Sequence, residues 1–208
     1  MKIFYFSIYL IGLICLTVGC GAIIKAPRIG YYQYTHNIYY ANTPIRIIPI
    51  WIDGGFGESD RLLIDDAISK WNYALNGYIK LEVVDNNFNV ELDKINDQIR
   101  ENGWLILKIN SANPMIPEVA KGYHAVGFTN KIGGDHLYLV RDWLSNDEIF
   151  GITMHEIGHN LGSNHVGNKL MYKNYDKARF QCVDWDTINE VAKYQHLDVS
   201  KLNYCFDN

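Results

Sequence analysis

The stretch of the chain that decides its fold reads HEIGHNLGSNH and runs from residue 155 to residue 165. Two of its histidines, His155 and His159, are four positions apart. On an α-helix, residues at this spacing lie one above the other, so both imidazoles can bind one metal ion. Glu156 lies about 100° further around the helix and can reach a water molecule beside that ion. Alone, this pattern is only moderately specific, because two histidines on one helix face are often surface or core residues.

The continuation of the pattern adds a third candidate ligand. Gly162 allows the chain to leave the helix by a sharp turn, and that turn can bring His165 back to the same ion. At ordinary amino-acid frequencies, a chain of 208 residues contains the whole pattern by chance on the order of once in ten thousand cases. The sequence therefore predicts one zinc site with three histidine ligands and one open coordination position.

The residues before the pattern predict the helix that carries it. Ser145 and Glu148 are three positions apart and form a capping-box pattern, which marks a helix N-terminus. Gly162 suits the left-handed end of the same helix. Apolar residues at helical spacing are expected to form its buried stripe: Phe150, Met154, Ile157 and Leu161.

The remainder of the chain predicts a mixture of strands and helices. A strand over 45–52 is rich in β-branched residues, and Pro49 within it favours an edge strand or a bulge. Ser59 can cap a long amphipathic helix that ends at Asn76-Gly77, and Asp184 can cap a last helix. The other predicted elements are strands over 79–84, 104–109, 125–129 and 136–141 and a short helix over 90–99.

The extended zinc motif resembles that of the metzincin metallopeptidases. Met171, six residues after His165, resembles the methionine of the turn that lies beneath the metal in that group. The order of the predicted elements is similar to that of matrixins, and the HEIGH spelling is similar to a smaller bacterial metallopeptidase family, so the subfamily stays open. The resemblance implies an α+β catalytic domain. Its parts would be a twisted mixed sheet with an antiparallel edge strand, a long packing helix, the zinc-binding helix and a C-terminal helix.

The resemblance also implies an activity. The implied activity is zinc-dependent cleavage of protein or peptide substrates by an endopeptidase. Glu156 would be the general base that takes a proton from a metal-activated water. An extended substrate is expected to add to the edge strand around 125–128 by main-chain hydrogen bonds.

Two other interpretations compete with a peptidase. The first is a catalytically silent, membrane-tethered binding module on the same fold, and the retention of Glu156 and all three histidines disfavours it. The second is a structural domain in which zinc only staples the chain. Structural zinc sites are usually closed by four side chains, so the open coordination position disfavours this reading.

Matrixins bind a second, structural zinc, and three residues of this chain lie near the corresponding positions: His124, Asp135 and His136. The His-x-Asp pair that completes the matrixin site is missing, and a structural zinc normally needs four protein ligands. We therefore expect the catalytic zinc alone.

Composition and charge indicate which kinds of molecule the protein is expected to bind. The chain is 48% hydrophobic over 208 residues, which is enough for one domain with a buried core. Its formal net charge is -4 and its basic residues are scattered, so a nucleic-acid partner is disfavoured. We expect a monomer that acts on protein or peptide.

The N-terminus has the character of an export segment. Residues 3–24 contain no charged side chain. Cys20 resembles the lipid-attachment cysteine of bacterial lipoproteins, while a plain cleaved signal and an uncleaved anchor are the alternatives. We therefore expect a signal segment over 1–22, a linker or strap over 23–43 and the metallopeptidase domain over 44–208. The protein is expected to be exported, and either anchored to a membrane or secreted.

The cysteines are consistent with export. Outside the N-terminal segment the chain has two, Cys182 and Cys205. An even pair in an oxidising compartment favours one disulfide, and the alternative is two free buried thiols.

Overall fold

The computed structural model describes residues 33–37, 46–84, 103–114, 116, 126–174 and 181–206. Within these ranges three α-helices form: α1 (Glu58–Leu75), α2 (Asn146–Asn160) and α3 (Trp185–Gln195). The strands of the same ranges are β1 (Gln33–Tyr34), β2 (Arg46–Ile52), β3 (Ile79–Val83), β4 (Trp104–Ile109), β5 (Gly127–Thr129), β6 (His136–Val140) and β7 (Cys205–Phe206). The predicted α+β class is confirmed.

Some predicted features lie outside the described residues. They are the signal segment with Cys20, the short helix over 90–99 and His124. Among the described residues, no helix is long and apolar enough to cross a membrane.

Five strands form one mixed sheet in the order β3-β2-β4-β6-β5. The first four strands run parallel to one another, and β5 is antiparallel to β6, with Phe128 opposite Tyr138. The predicted antiparallel edge strand is therefore confirmed. Helix α1 packs against β3, whereas α2 packs against β5 and β6 and also against α1. The core consequently lies between this face of the sheet and the two helices.

The prediction that Pro49 marks an edge strand or a bulge is wrong, because β2 lies between β3 and β4. Hydrogen bonds from Arg46 N to Tyr78 O and from Val84 N to Ile50 O show which backbone groups of β2 face β3. Since successive residues alternate, the missing N–H of Pro49 faces β4. Pairing with β4 begins only at Ile50, one residue later, so the proline interrupts no ladder hydrogen bond.

The N-cap of helix α1 lies two residues before the predicted cap at Ser59. It is Gly57, whose carbonyl accepts from Arg61 N at 3.0 Å. Glu58 and Asp60 lie in the first turn, where carboxylates interact favourably with the positive end of the helix. Asn76 ends the helix in the left-handed conformation, at the position that the sequence predicted.

Polar contacts join α1 to α2 and to the segment that precedes α2. The buried indole Nε1 of Trp71 donates to Met154 O at 2.9 Å. At the other end of α1, Arg141 Nε donates to Asp60 Oδ2 at 2.8 Å and Arg141 Nη1 donates to Leu144 O at 2.7 Å. Strand β6 ends at Val140, one residue before the predicted end, and Arg141 begins a 3₁₀ turn.

Helix α2 begins at the predicted capping box of Ser145 and Glu148. Ser145 N donates to Glu148 Oε2 at 2.9 Å. The predicted buried stripe is only part of the buried surface, because every residue from Gly151 to Asn160 is buried. Phe150 is only half-buried. The helix therefore runs through the core, which is why polar residues on it lie away from solvent.

Helix α3 is tied to the C-terminal segment. Its N-cap Asp184 accepts from the backbone N–H groups of Asp186 and Thr187, as the sequence predicted. Cys182 and Cys205 form a disulfide, and Cys205 N donates to Val183 O at 2.9 Å. Upstream, β1 pairs with β7, so part of the predicted strap lies against this C-terminal segment.

We predict that replacing Cys182 and Cys205 together by serine lowers the free energy of unfolding by about 3 kcal/mol. The bridge closes a loop with a sequence separation of 23 residues, and opening it restores chain entropy to the unfolded state. Urea denaturation of the metal-free protein measures the change, and reduction of the wild type should reproduce it. Identical midpoints for oxidised and reduced wild type would contradict the prediction.

Candidate metal centre

The last turns of α2 place two histidines side by side in the core. His155 and His159 are each 7% exposed, and their ring centroids are 4.8 Å apart. Their planes are nearly perpendicular, at 86°. This arrangement follows from the i, i+4 spacing on a helix. The two imidazoles lie on one face of α2, as the sequence predicted.

The chain then reverses and brings back the third histidine. Gly162 has φ +103°, a conformation that favours glycine. Ser163 N closes the turn by donating to Gly158 O at 2.9 Å. The ring of His165 consequently lies 4.8 Å from that of His159 and 5.3 Å from that of His155. One ring nitrogen from each of the three histidines lies within 4.8 Å of the other two.

Backbone carbonyls orient the two buried imidazoles. His155 Nδ1 lies 2.7 Å from Leu170 O, and His159 Nδ1 lies 2.8 Å from Ser163 O. A carbonyl can only accept, so Nδ1 carries the proton in both rings and the lone pair is on Nε2. A hydrogen bond from the far ring nitrogen to a carbonyl is the arrangement by which proteins orient histidine toward a metal ion.

The segment around Met171 packs against the part of α2 that carries the two buried histidines. Met171 is fully buried, and a Cβ added at Gly158 would lie 2.5 Å from its Sδ, so the thioether packs directly on the helix between the two histidines. Val166 N donates to Met171 O at 3.0 Å. Leu170, whose carbonyl orients His155, donates its own N–H to Asp184 Oδ2 at 3.3 Å. The N-cap of α3 therefore also holds the turn below the site.

Glu156 is buried beside this cluster and is 5% exposed. Its Oε2 has no hydrogen-bond partner among the described residues. Burial raises the pKa of Glu156 to about 8. A Cβ added at Gly127 would lie 3.1 Å from Glu156 Cγ and 2.5 Å from Ile152 Cγ2. The carboxylate thus packs against the edge strand β5 at a position that has no side chain.

Burial also keeps the histidines neutral. It lowers the pKa of His155 to about 3, with a further contribution from His159, and lowers the pKa of His159 to about 4. Burial and the charge of Lys173 lower the pKa of His165 as well. Neutral imidazole is the form that binds metals, so all three residues are in the ligand form at neutral pH.

The three histidines can therefore bind a metal ion. They are the one group of three converging His, Cys, Asp or Glu side chains among the described residues. Three neutral imidazoles in this arrangement fit the ligand set of a catalytic zinc. Asp135 and His136, considered for a second metal, contact each other instead: His136 Nδ1 lies 2.6 Å from Asp135 Oδ1, and Asn130 Nδ2 donates to the same oxygen at 2.8 Å.

The sequence patterns did not predict that several other residues lie near the site. Thr153 and Asn160 lie three and four positions from Glu156, on the same face of α2. The Oγ1 of Thr153 and both side-chain polar atoms of Asn160 lack hydrogen-bond partners among the described residues. Gly127 was part of a predicted strand, but its contact with Glu156 depends on the packing of two distant elements. Asp184 was predicted only as a helix cap.

We predict that the stability of the metal-free protein is greatest near pH 6.5. The folded-state pKa of Glu156 lies above its unfolded value of 4.5, so its contribution is complete below pH 4.5 and is lost as the pH rises to about 8. The contribution of His155 and His159 to stability changes with pH in the opposite direction. Their folded pKa values lie below 6.5, so their contribution is lost as the pH falls from 6.5.

Between pH 6.5 and pH 8 the free energy of unfolding of the wild type should therefore fall by about 2 kcal/mol relative to that of Glu156→Gln, because only the wild type carries the buried carboxyl group. Urea denaturation in the presence of a chelator measures both proteins. A fall of equal size in the two would show that another group is responsible.

Comparisons with known proteins concern the fold. No protein-family model matches the chain. No curated protein matches it either. Among solved structures, the crystal structure of metalloproteinase-II from Bacteroides fragilis is similar, with a TM-score of 0.50 and 18% sequence identity. The match covers 78% of this chain and 57% of that one, so the chain spans little more than half the length of that protein. The mixed five-stranded sheet with its three helices is consistent with a metallopeptidase-like domain.

Proposed function

We propose that the chain is a metzincin-type zinc endopeptidase. The observation that carries the proposal is a buried Glu156 carboxylate whose Oε2 has no hydrogen-bond partner in the part of the chain that the structure describes, next to three imidazoles that converge. A buried carboxylate without a partner costs free energy, and such groups concentrate at catalytic sites. The metallopeptidase-like fold supports the same conclusion.

The ligand set indicates which chemistry the metal contributes. His155, His159 and His165 would hold the ion, and their neutral state requires no proton to leave before binding. When bound, a zinc ion in such a site supplies Lewis-acid activation of a water molecule and of the substrate carbonyl.

Glu156 is the residue that moves protons. Its Oε2, which no other described residue engages, can accept a proton from the attacking water and then donate that proton to the leaving amine nitrogen. A carboxyl that must both take up and release a proton works best with a pKa near the working pH, and burial raises the pKa of Glu156 toward neutrality. Contact with Gly127 and Ile152 limits where the carboxylate can move.

Strand β5 provides a place for an extended peptide. Among the described residues it pairs with β6 along one edge, and the other edge has no paired strand. A peptide that adds to that edge by main-chain hydrogen bonds would pass beside Gly127, which lies directly against the general base. This proximity supports a protein or peptide substrate.

We also propose that the chain is exported. The disulfide between Cys182 and Cys205 supports an oxidising compartment. The uncharged N-terminal segment supports either membrane attachment, through a lipid at Cys20 or an anchor, or secretion.

We predict that Glu156→Gln lowers kcat/KM for cleavage of a denatured protein by at least about 100-fold, because it removes the proton-transferring group. The variant should still bind about one zinc ion per chain, because its three ligands are unchanged. Metal analysis and a cleavage assay on both proteins, purified in the same way, make the comparison. Equal cleavage by the two would assign the activity to a contaminant and reject the proposed function.

Gly127→Ala tests the position of Glu156 without changing it. The new methyl group would force Ile152 and Glu156 to shift, and a displacement of this kind should lower kcat by about 10-fold to 100-fold while zinc binding is retained. The matched control is Gly57→Ala, because a Cβ at Gly57 has no atom within 4 Å. Wild-type kcat in Gly127→Ala would show that this contact does not position the general base.

A further inference from the structure

The third candidate ligand is supported differently from the other two. His155 and His159 are buried, and each donates Nδ1–H to a carbonyl. His165 is exposed, and neither of its ring nitrogens makes a hydrogen bond to another described residue. Its position therefore depends on how firmly the turn at Gly162 is held.

Tyr194, near the end of α3, packs on that turn. A Cβ added at Gly162 would lie 2.1 Å from Tyr194 Cγ and 2.2 Å from its Cδ1, so the ring lies directly over the glycine. The far end of the same ring covers Gly133, where a Cβ would lie 1.9 Å from the tyrosine hydroxyl oxygen. Both glycines have positive φ, at +103° and +68°. One aromatic ring thus spans two glycine turns.

The two turns are linked to the same residue of α2. Gly133 N donates to His159 O at 2.8 Å, and Gly162 N donates to the same oxygen at 3.0 Å. Tyr194 therefore covers both chain segments that meet at the C-terminal end of the metal-binding helix. Tyr194 as a whole remains 49% exposed, so this contact is made at the surface of the site and not within the core.

The neighbouring residue of α3 makes a second contact with the turn. Gln195 Nε2 donates at 2.8 Å to the carbonyl oxygen of Leu161, which is the residue before Gly162. Its Oε1 accepts from Arg46 Nη1 at 2.8 Å, which fixes the direction of the amide. Two consecutive side chains of α3 therefore hold the chain between the second and third candidate ligands.

We propose that Tyr194 is a positioning residue for the third metal ligand, with Gln195 in a supporting role. Glycine has wide conformational freedom, and a turn without a cover can adopt arrangements in which His165 faces away from the other two histidines. Apparent metal affinity falls in proportion to the fraction of molecules in the binding-competent arrangement. The inference depends on the metal centre of the proposed function and not on peptide cleavage.

The test compares the zinc affinities of Tyr194→Ala, Tyr194→Phe and Trp185→Ala with that of the wild type, by competition with a chromophoric chelator. Tyr194→Ala should bind zinc about 10-fold more weakly, in the range of residues that orient metal ligands. Tyr194→Phe keeps the ring over Gly162 and should stay within about 2-fold of the wild type. Trp185, which is 44% exposed on the same helix and packs on Tyr204, serves as the matched control and should leave the affinity unchanged.

Wild-type affinity in Tyr194→Ala would overturn the proposal, and so would equal losses in Tyr194→Ala and Trp185→Ala, which would indicate general loosening of α3. If Tyr194→Ala does not fold, as judged by circular dichroism, Gln195→Ala takes its place with an expected loss of a few-fold. A protein that binds zinc with this dependence on Tyr194 but cleaves no peptide would reject the proposed function and keep this inference.

Discussion

The site depends on a single reversal of the chain at Gly162. The hydrogen bond from Ser163 N to Gly158 O closes the reversal, and His165 returns to the face of α2 that carries the first two histidines. The same turn presents Ser163 O to the Nδ1–H of His159. It therefore delivers one candidate ligand and orients another. A residue with a Cβ at position 162 would have a strained backbone and would also meet the ring of Tyr194.

The first histidine is oriented by a longer chain of contacts that reaches α3. His155 donates to Leu170 O, Leu170 donates to Asp184, and Asp184 caps α3 next to the disulfide-bonded Cys182. The other end of α3 covers the Gly162 turn through Tyr194. One short helix thus supports the site at both of its ends.

Local sequence patterns predicted most helices and strands and the histidine cluster. The features that the sequence did not predict depend on contacts between residues far apart in the chain. The capping box at Ser145, the cap at Asp184 and strand β4 could be predicted because each depends on residues close in sequence. The convergence of the histidines was predictable for the same reason, since eleven consecutive residues contain the helix spacing and the turn. Pro49 was misplaced because the side on which its missing N–H falls depends on the register with β4. The contacts of Gly127 and Tyr194 could not be predicted, because each joins elements far apart in the chain.

X-ray absorption spectroscopy at the zinc edge tests the central claim most directly, because it counts the ligands of the bound ion. The proposed metal centre requires about one zinc ion per chain with three imidazole nitrogens at about 2.0–2.1 Å. Replacing His165 by alanine should reduce the count to two. A protein that binds no zinc, or one whose spectrum shows two imidazoles both with and without His165, would contradict the account.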